Sequence, residues 1–185
     1  EDSYFLGNNI LTSNLKYFCK SLIEEEREVL EENIFKNKKE VNKKVIVIYS
    51  EKYMDIASLI RNKYPEEEYI MIKSGDFDSQ IEKILNVNLS TKNYDDLAKF
   101  DRSIDISHSP RIRNDIASIY YITDYDIGKT IVPIFRINAL NIETFSSSEI
   151  FHYANDIKKL VDFEDTYVPI TKKMIENISK KQDSL

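Results

Sequence analysis

At 185 residues, with 42% apolar and 31% charged side chains, the chain has the size and composition of one globular domain and not of a disordered segment. A formal charge of -6 disfavours a non-specific grip on nucleic acid or anionic membrane, because neutralising phosphates takes clustered Lys and Arg. Cys19 is the single cysteine, which excludes an intramolecular disulfide and a zinc site built on two or more thiolates.

A reducing, intracellular and cytoplasmic setting is therefore the expectation. No apolar run approaches the ~20 residues of a membrane span. Only 3 Gly and 4 Pro are present, so Gly-rich phosphate loops have little material to form from. The chain begins at Glu1 and not Met, so a fragment of a longer chain is expected.

In chain order, residues 1–35 form an acidic, helical N-terminal segment. Ser13 is a suitable N-cap, and Leu11, Leu15, Phe18 and Leu22 recur at helical spacing, extended by Val29 and Leu30. Cys19 falls near that apolar face. Residues 36–44 are a basic connector carrying Lys36, Lys38, Lys39, Lys43 and Lys44. The α/β core is assigned to 45–185. Val45–Tyr49 is an unbroken apolar, β-branched run, the pattern of a strand buried on both faces. A helix over Glu51–Tyr64 follows, stopped by Pro65. Tyr69–Ile72 reads as a strand and Asp78–Leu85 as a helix.

Residues 86–100 are polar and read as loop, with a turn of helix at Tyr94–Phe100. Ser103–Ser107 alternates as a strand does. Ser109-Pro110 then reads as the start of a helix holding Ile112 and Ile116. Ile119–Thr123 is a further strand, and the β-branched Thr130–Ile137 is assigned as another, at an edge because of Pro133. Helices are expected over Ser146–Val161 and Thr171–Ser179. The pattern as a whole predicts a single three-layer α/β domain, with a mostly parallel central sheet flanked by helices.

The sharpest chemical feature is Thr123-Asp124-Tyr125-Asp126 after the strand IYYIT, with Glu51 just past the first buried strand. Carboxylates at the carboxyl ends of strands are where α/β enzymes hold Mg²⁺ or Mn²⁺. Glu51, Asp124 and Asp126 resemble the carboxylate set of the toprim domains of topoisomerases, primases and some nucleases. That resemblance implies divalent-metal-dependent phosphoryl transfer. The chain departs from the toprim pattern in three ways. Gly128 follows the second aspartate by two residues instead of three, Ser50 precedes Glu51, and the β-branched run after Gly128 predicts a strand where toprim has a helix. The alternative is an Asp- and Gly-rich turn joining two strands.

The order of VIVIY, YIMIK, SIDIS, a helix and IYYITDY also resembles the nucleotide-binding half of glycosyltransferases that build capsule or wall polymers. That resemblance implies a site using Thr123, Asp124 and the serines Ser146, Ser147 and Ser148. Asp126 stands where that family has a serine, and Lys73-Ser74-Gly75 where it has His-Pro. The three serines are also a candidate anion site at a helix N-terminus, or else a simple N-cap. His108 lies in a turn and His152 on a helix. The leading functional expectation is a non-catalytic binding or regulatory domain acting through contacts with another protein. No cofactor is expected, except Mg²⁺ or Mn²⁺ if the phosphoryl-transfer reading holds.

Overall fold

The computed structural model describes residues 3–6, 28–40, 42–100, 111–139, 141–153 and 157–171. Six strands form one sheet: β1 (Ser3–Leu6), β2 (Lys44–Ser50), β3 (Glu68–Ile72), β4 (Ile116–Ile122), β5 (Glu143–Ser146) and β6 (Thr166–Thr171). Their spatial order is β3-β2-β4-β5-β6-β1. The five from β3 to β6 run parallel, and β1 joins β6 antiparallel. The α-helices are α1 (Met54–Lys63), α2 (Phe77–Ile84), α3 (Val87–Phe100) and α4 (Tyr125–Asn138).

Strand β2 is the centre, as its unbroken apolar run requires. It pairs with β3 and β4, and Val45, Ile46, Val47 and Ile48 are fully buried. The pleat sends alternate side chains to opposite faces. Ile46 and Ile48 pack with Ile81 of α2 and with Ile131, Val132 and Phe135 of α4. Val45, Val47 and Tyr49 pack with Ala57 and Ile60 of α1 and with Leu30, Ile34 and Phe35. The result is the three-layer α/β architecture that the strand and helix alternation predicts.

Four local expectations are corrected. The run 130–137 is helix, not strand. Asp124 caps α4, and Ile127, Ile131 and Phe135 recur at i, i+4 and i+8 to make a buried stripe that outweighs Pro133 in the helix interior. Residues 87–100 form a helix and not a loop. Asn86, with φ 60°, turns the chain between α2 and α3, and α3 is polar nearly all round, which hides its period. Ile116 opens β4 instead of lying in a helix. In place of one α-helix over 146–161, β5 ends at Ser146 and two 3-10 segments follow, Ser148–Tyr153 and Ile157–Phe163.

The N-terminal segment is helical over 28–31 and then widens into a π-helical turn, Glu32–Lys36. The rest of the expected 13–35 helix, Cys19, the 103–107 strand, the Ser109-Pro110 start, His108, the side chain of His152 and the helix expected after Thr171 lie outside the described residues. Among the described residues, no helix is long and apolar enough to cross a membrane.

Candidate functional site

The strand order reverses between β2 and β4. From β2 the chain continues along β3 on one side, whereas β4 is followed by β5 and β6 on the other. The helices after these two strands lie on opposite faces: α1 packs against Val45, Val47 and Tyr49, and α4 against Ile46 and Ile48. A doubly wound sheet opens a crevice at such a point, outside the carboxyl ends of its strands, and ligands bind there. Every residue singled out from the sequence as chemically interesting, with the exception of the histidines and Cys19, belongs to this edge.

Glu51 begins a 3-10 turn, Glu51–Tyr53, directly beyond β2, and is exposed. Asp124 follows β4 by two residues. Its backbone is extended, and Oδ1 accepts from the N–H of Ile127 at 3.2 Å, so it serves as the N-cap of α4. Asp126 is in the first helical turn, 70% exposed, and ion-paired with Lys129 at 2.7 Å. The two aspartates therefore do not share a face as they would in an extended strand, because residues two apart on a helix point in different directions. Glu51, Asp124 and Asp126 do not gather as a metal-ligating group, and no three His, Cys, Asp or Glu side chains do so among the described residues.

The serine run ends a strand. Ser146 donates through Oγ to the carbonyl of Ser147 at 3.2 Å. The N–H of Ser147 donates to the carbonyl of Tyr121 at 2.9 Å, which fastens the end of β5 to β4. Ser148 opens a six-residue 3-10 segment. Neither the Ser146 nor the Ser147 hydroxyl caps the segment after them: one is committed to Ser147 and the other has no partner. The expected capping role falls away for both, because the chain is still in the sheet at Ser146.

Three further residues, Ser50, Tyr53 and Glu149, join Thr123 at this edge. Register sets their places: Tyr49 pairs with Ile122, so Ser50 and Thr123 stand side by side at the ends of β2 and β4, and Tyr121 pairs with Ser146, so Ser147 stands beside Ile122, one residue short of Thr123. The runs of β2, β4 and β5 each end in a hydroxyl residue, which is the signal the sequence did offer. Buried polar atoms are nearly always hydrogen-bonded, so exceptions carry information. Six buried side-chain polar atoms lack a partner among the described residues, and five of them are here: Ser50 Oγ, Tyr53 OH, Thr123 Oγ1, Ser147 Oγ and Glu149 Oε2. Thr123 is 0% exposed, Ser50 and Ser147 3%, and Tyr53 6%.

Electrostatics tie the three strand ends together. Burial raises the Tyr53 phenol above its ordinary value; Lys52, whose Nζ is 5.2 Å from the ring centroid, pulls it back, and Asp124 and Glu149 raise it further. Tyr53, which follows β2, thus feels the charges of Asp124 after β4 and Glu149 after β5. Asp124, Ser148 and Glu149, at the same edge, are only partly buried. The arrangement can hold a polar group by hydrogen bonds. Comparison with family models, with curated protein sequences and with solved structures finds no match to this chain.

Proposed function

We propose that this chain is a non-catalytic binding domain that holds a small polar ligand at the carboxyl edge of its sheet, between the ends of β2, β4 and β5. One observation carries the reading: the unpartnered buried hydroxyls of Ser50, Tyr53, Thr123 and Ser147, together with Glu149, concentrate at the strand-order reversal. Leaving a buried polar group unsatisfied costs roughly 1–3 kcal/mol, and a ligand that supplies partners recovers that cost on binding. Concave sites with a few convergent polar groups at such reversals are a common place for ligands. Any protein partner then acts through, or beside, the occupied edge.

The test is an amide-resolved NMR screen of the full chain against a library of polar fragments. The expected outcome is that shift changes concentrate at 50–53, 121–125 and 146–149, and that Thr123→Val with Ser147→Ala abolishes them. Changes confined to other regions, or none across the library, would overturn the proposal.

A further inference from the structure

We infer that a second, separate site lies on the amino-terminal side of the sheet, in a cleft that takes a small planar ring with an amide edge, as carried by a pyrimidine base or by nicotinamide. The inference is independent of the carboxyl-edge reading. The cleft has a volume of about 140 Å³ and is lined by the π-helical turn Glu32–Lys36, the residues just after it and the first residues of β4 and β5. A cavity of ~150 Å³ accepts one benzene ring, so the space suits a single ring and little more.

Two departures from regular structure shape its walls. The π-helical turn brings Asn33 and Ile34 to the cleft, and Asn37 follows it. In the β2–β4 ladder Lys44 pairs with Ile116 but Val45 with Ser118, so Ala117 is an extra residue on β4, and it too lines the cleft. Turns of π-helix and β-bulges are both frequent beside functional sites. Ser118 supplies the sharpest signal. It is 5% exposed and lines the cleft, yet its hydroxyl has no hydrogen-bond partner among the described residues. Buried polar groups are nearly always paired, so this one is open to a group that enters the cleft.

The free hydrogen-bonding groups decide the class of ligand. The charged side chains of the lining are already ion-paired: Lys38 with Glu67 at 2.8 Å, Lys39 with Glu143, and Glu40 with Lys43 at 2.9 Å. A phosphate would have to draw a lysine from its carboxylate and would meet Glu40 and Glu143. A metal ion would need several oxygens at one point, and the two carboxylates here are held by lysines. The open groups are neutral: the amides of Asn37 and Asn141, the Ser118 hydroxyl, and Oδ1 of Asn33, whose Nδ2 donates to the carbonyl of Val29 at 2.8 Å. An asparagine amide presents its acceptor and its donors in one plane. It therefore pairs with another amide edge through two parallel hydrogen bonds, as it does with the edge of a base. A pair of sugar hydroxyls does not match that plane, and a sugar ring with its substituents exceeds the space. Ile34 and Phe145, both buried in one apolar cluster, supply the apolar part of the lining against which a ring packs.

Amide-resolved NMR titration of the full chain separates the possibilities. The probes are uracil, nicotinamide, phenol, methyl glucoside, inorganic phosphate and calcium. Saturable shift changes at 33–40, 117–118 and 141–145 are expected with uracil or nicotinamide, and the tighter of the two distinguishes the base from the carboxamide source. Phenol, which has the ring without the amide, should bind roughly tenfold more weakly or worse, the loss that follows from one missing hydrogen bond. Ser118→Val removes the buried hydroxyl and fills part of the cleft. Asn37→Ala removes an exposed amide and leaves the core untouched. Each should weaken the amide probe roughly tenfold. Phenol binding as tightly as the amides, a preference for glucoside, phosphate or calcium, undiminished binding in both variants, or no change at these residues with any probe would overturn the inference. Shift changes found only at 50–53, 121–125 and 146–149 would remove this site and leave the carboxyl-edge reading standing.

Discussion

Gly128 and Phe163 fit so closely that a β-carbon on the glycine would lie 2.8 Å from Cε1 and Cζ of the ring, and 3.2 Å from Thr123 Oγ1. Phe163 ends the second 3-10 segment and is itself buried, so this contact holds that segment over the start of α4 and beside Thr123. Two effects oppose each other in Gly128→Ala. Helix propensity favours alanine by about 1 kcal/mol. Overpacking a filled contact costs about 1–3 kcal/mol. The ring has no open solvent to swing into, so the second effect should win and the variant should lose about 1 kcal/mol in urea unfolding. Adding Phe163→Leu should turn the alanine into a gain. A single variant more stable than wild type would mean that the ring yields freely.

The fold was largely legible because its centre is written in unbroken apolar runs. VIVIY could only be a strand covered on both faces, and YIMI and IYYIT, also legible as strands, pair with it on either side. The misreadings share a cause, which is local composition competing with tertiary packing. TIVPIFRI has β-branched residues and a proline, yet its apolar side chains fall at helical spacing. A strand as short as ETFS carries too little pattern to stand out, and the polar α3 shows no apolar face. At the site, Glu51, Asp124 and Ser146–Ser148 were found because they follow strands. Tyr53 and Glu149 were not, because only the fold brings residues so far apart in sequence to one edge.

Arg113 clamps the amino-terminal side of the sheet. Its guanidinium donates to both Glu68 oxygens at 3.1 and 2.8 Å and to both Asp115 oxygens at 2.6 Å, joining the approach to β4 with the edge strand β3. The Arg113 hydrogen bonds hold the Asp115 carboxyl below its ordinary value. A lowered value in the folded state stabilises the fold above the ordinary carboxylate value of ~3.9, and that contribution is lost as pH falls through the lowered one. Arg113→Gln should therefore lower the urea midpoint at neutral pH, and its deficit should narrow below pH ~4. A deficit that stays constant with pH would show that the guanidinium acts through packing alone.

Tyr121 presents a different kind of orphan. It is fully buried in the core against Phe135, with ring centroids 5.6 Å apart, and its hydroxyl has no partner among the described residues. Burial pushes the phenol well above its ordinary value, and Arg136 offsets this only in part. A raised value means that the stabilising contribution is intact below the ordinary phenol value of ~10 and drains away as pH rises beyond it. Tyr121→Phe removes the unsatisfied group and keeps the ring, so it should stabilise the protein by about 1 kcal/mol at pH 7. The variant should also resist alkaline unfolding better than wild type above pH ~10. A less stable variant would indicate that the hydroxyl has a partner in solution.

Asp124 and Asp126 look equivalent in the sequence and have separate tasks in the structure. Asp124 satisfies one of the free N–H groups at the start of α4 through Ile127, and its carbonyl accepts from Gly128 N–H at 2.9 Å. Losing such a cap costs about 0.5–2 kcal/mol, and asparagine caps almost as well as aspartate. Asp126 makes an exposed pair with Lys129, a class of contact worth ~0.3–0.5 kcal/mol along a helix. Asp124→Ala should therefore lose about 1 kcal/mol in urea unfolding, Asp124→Asn much less, and Asp126→Ala close to nothing. The asparagine variant separates the cap from the binding edge. It keeps the oxygen that accepts from Ile127 but replaces the other carboxylate oxygen with an amide that donates. Fragment binding at the edge should therefore weaken in Asp124→Asn while stability is nearly kept. Equal losses of stability in Asp124→Ala and Asp126→Ala would contradict the capping geometry. Undiminished fragment binding in Asp124→Asn would remove Asp124 from the edge that receives the ligand.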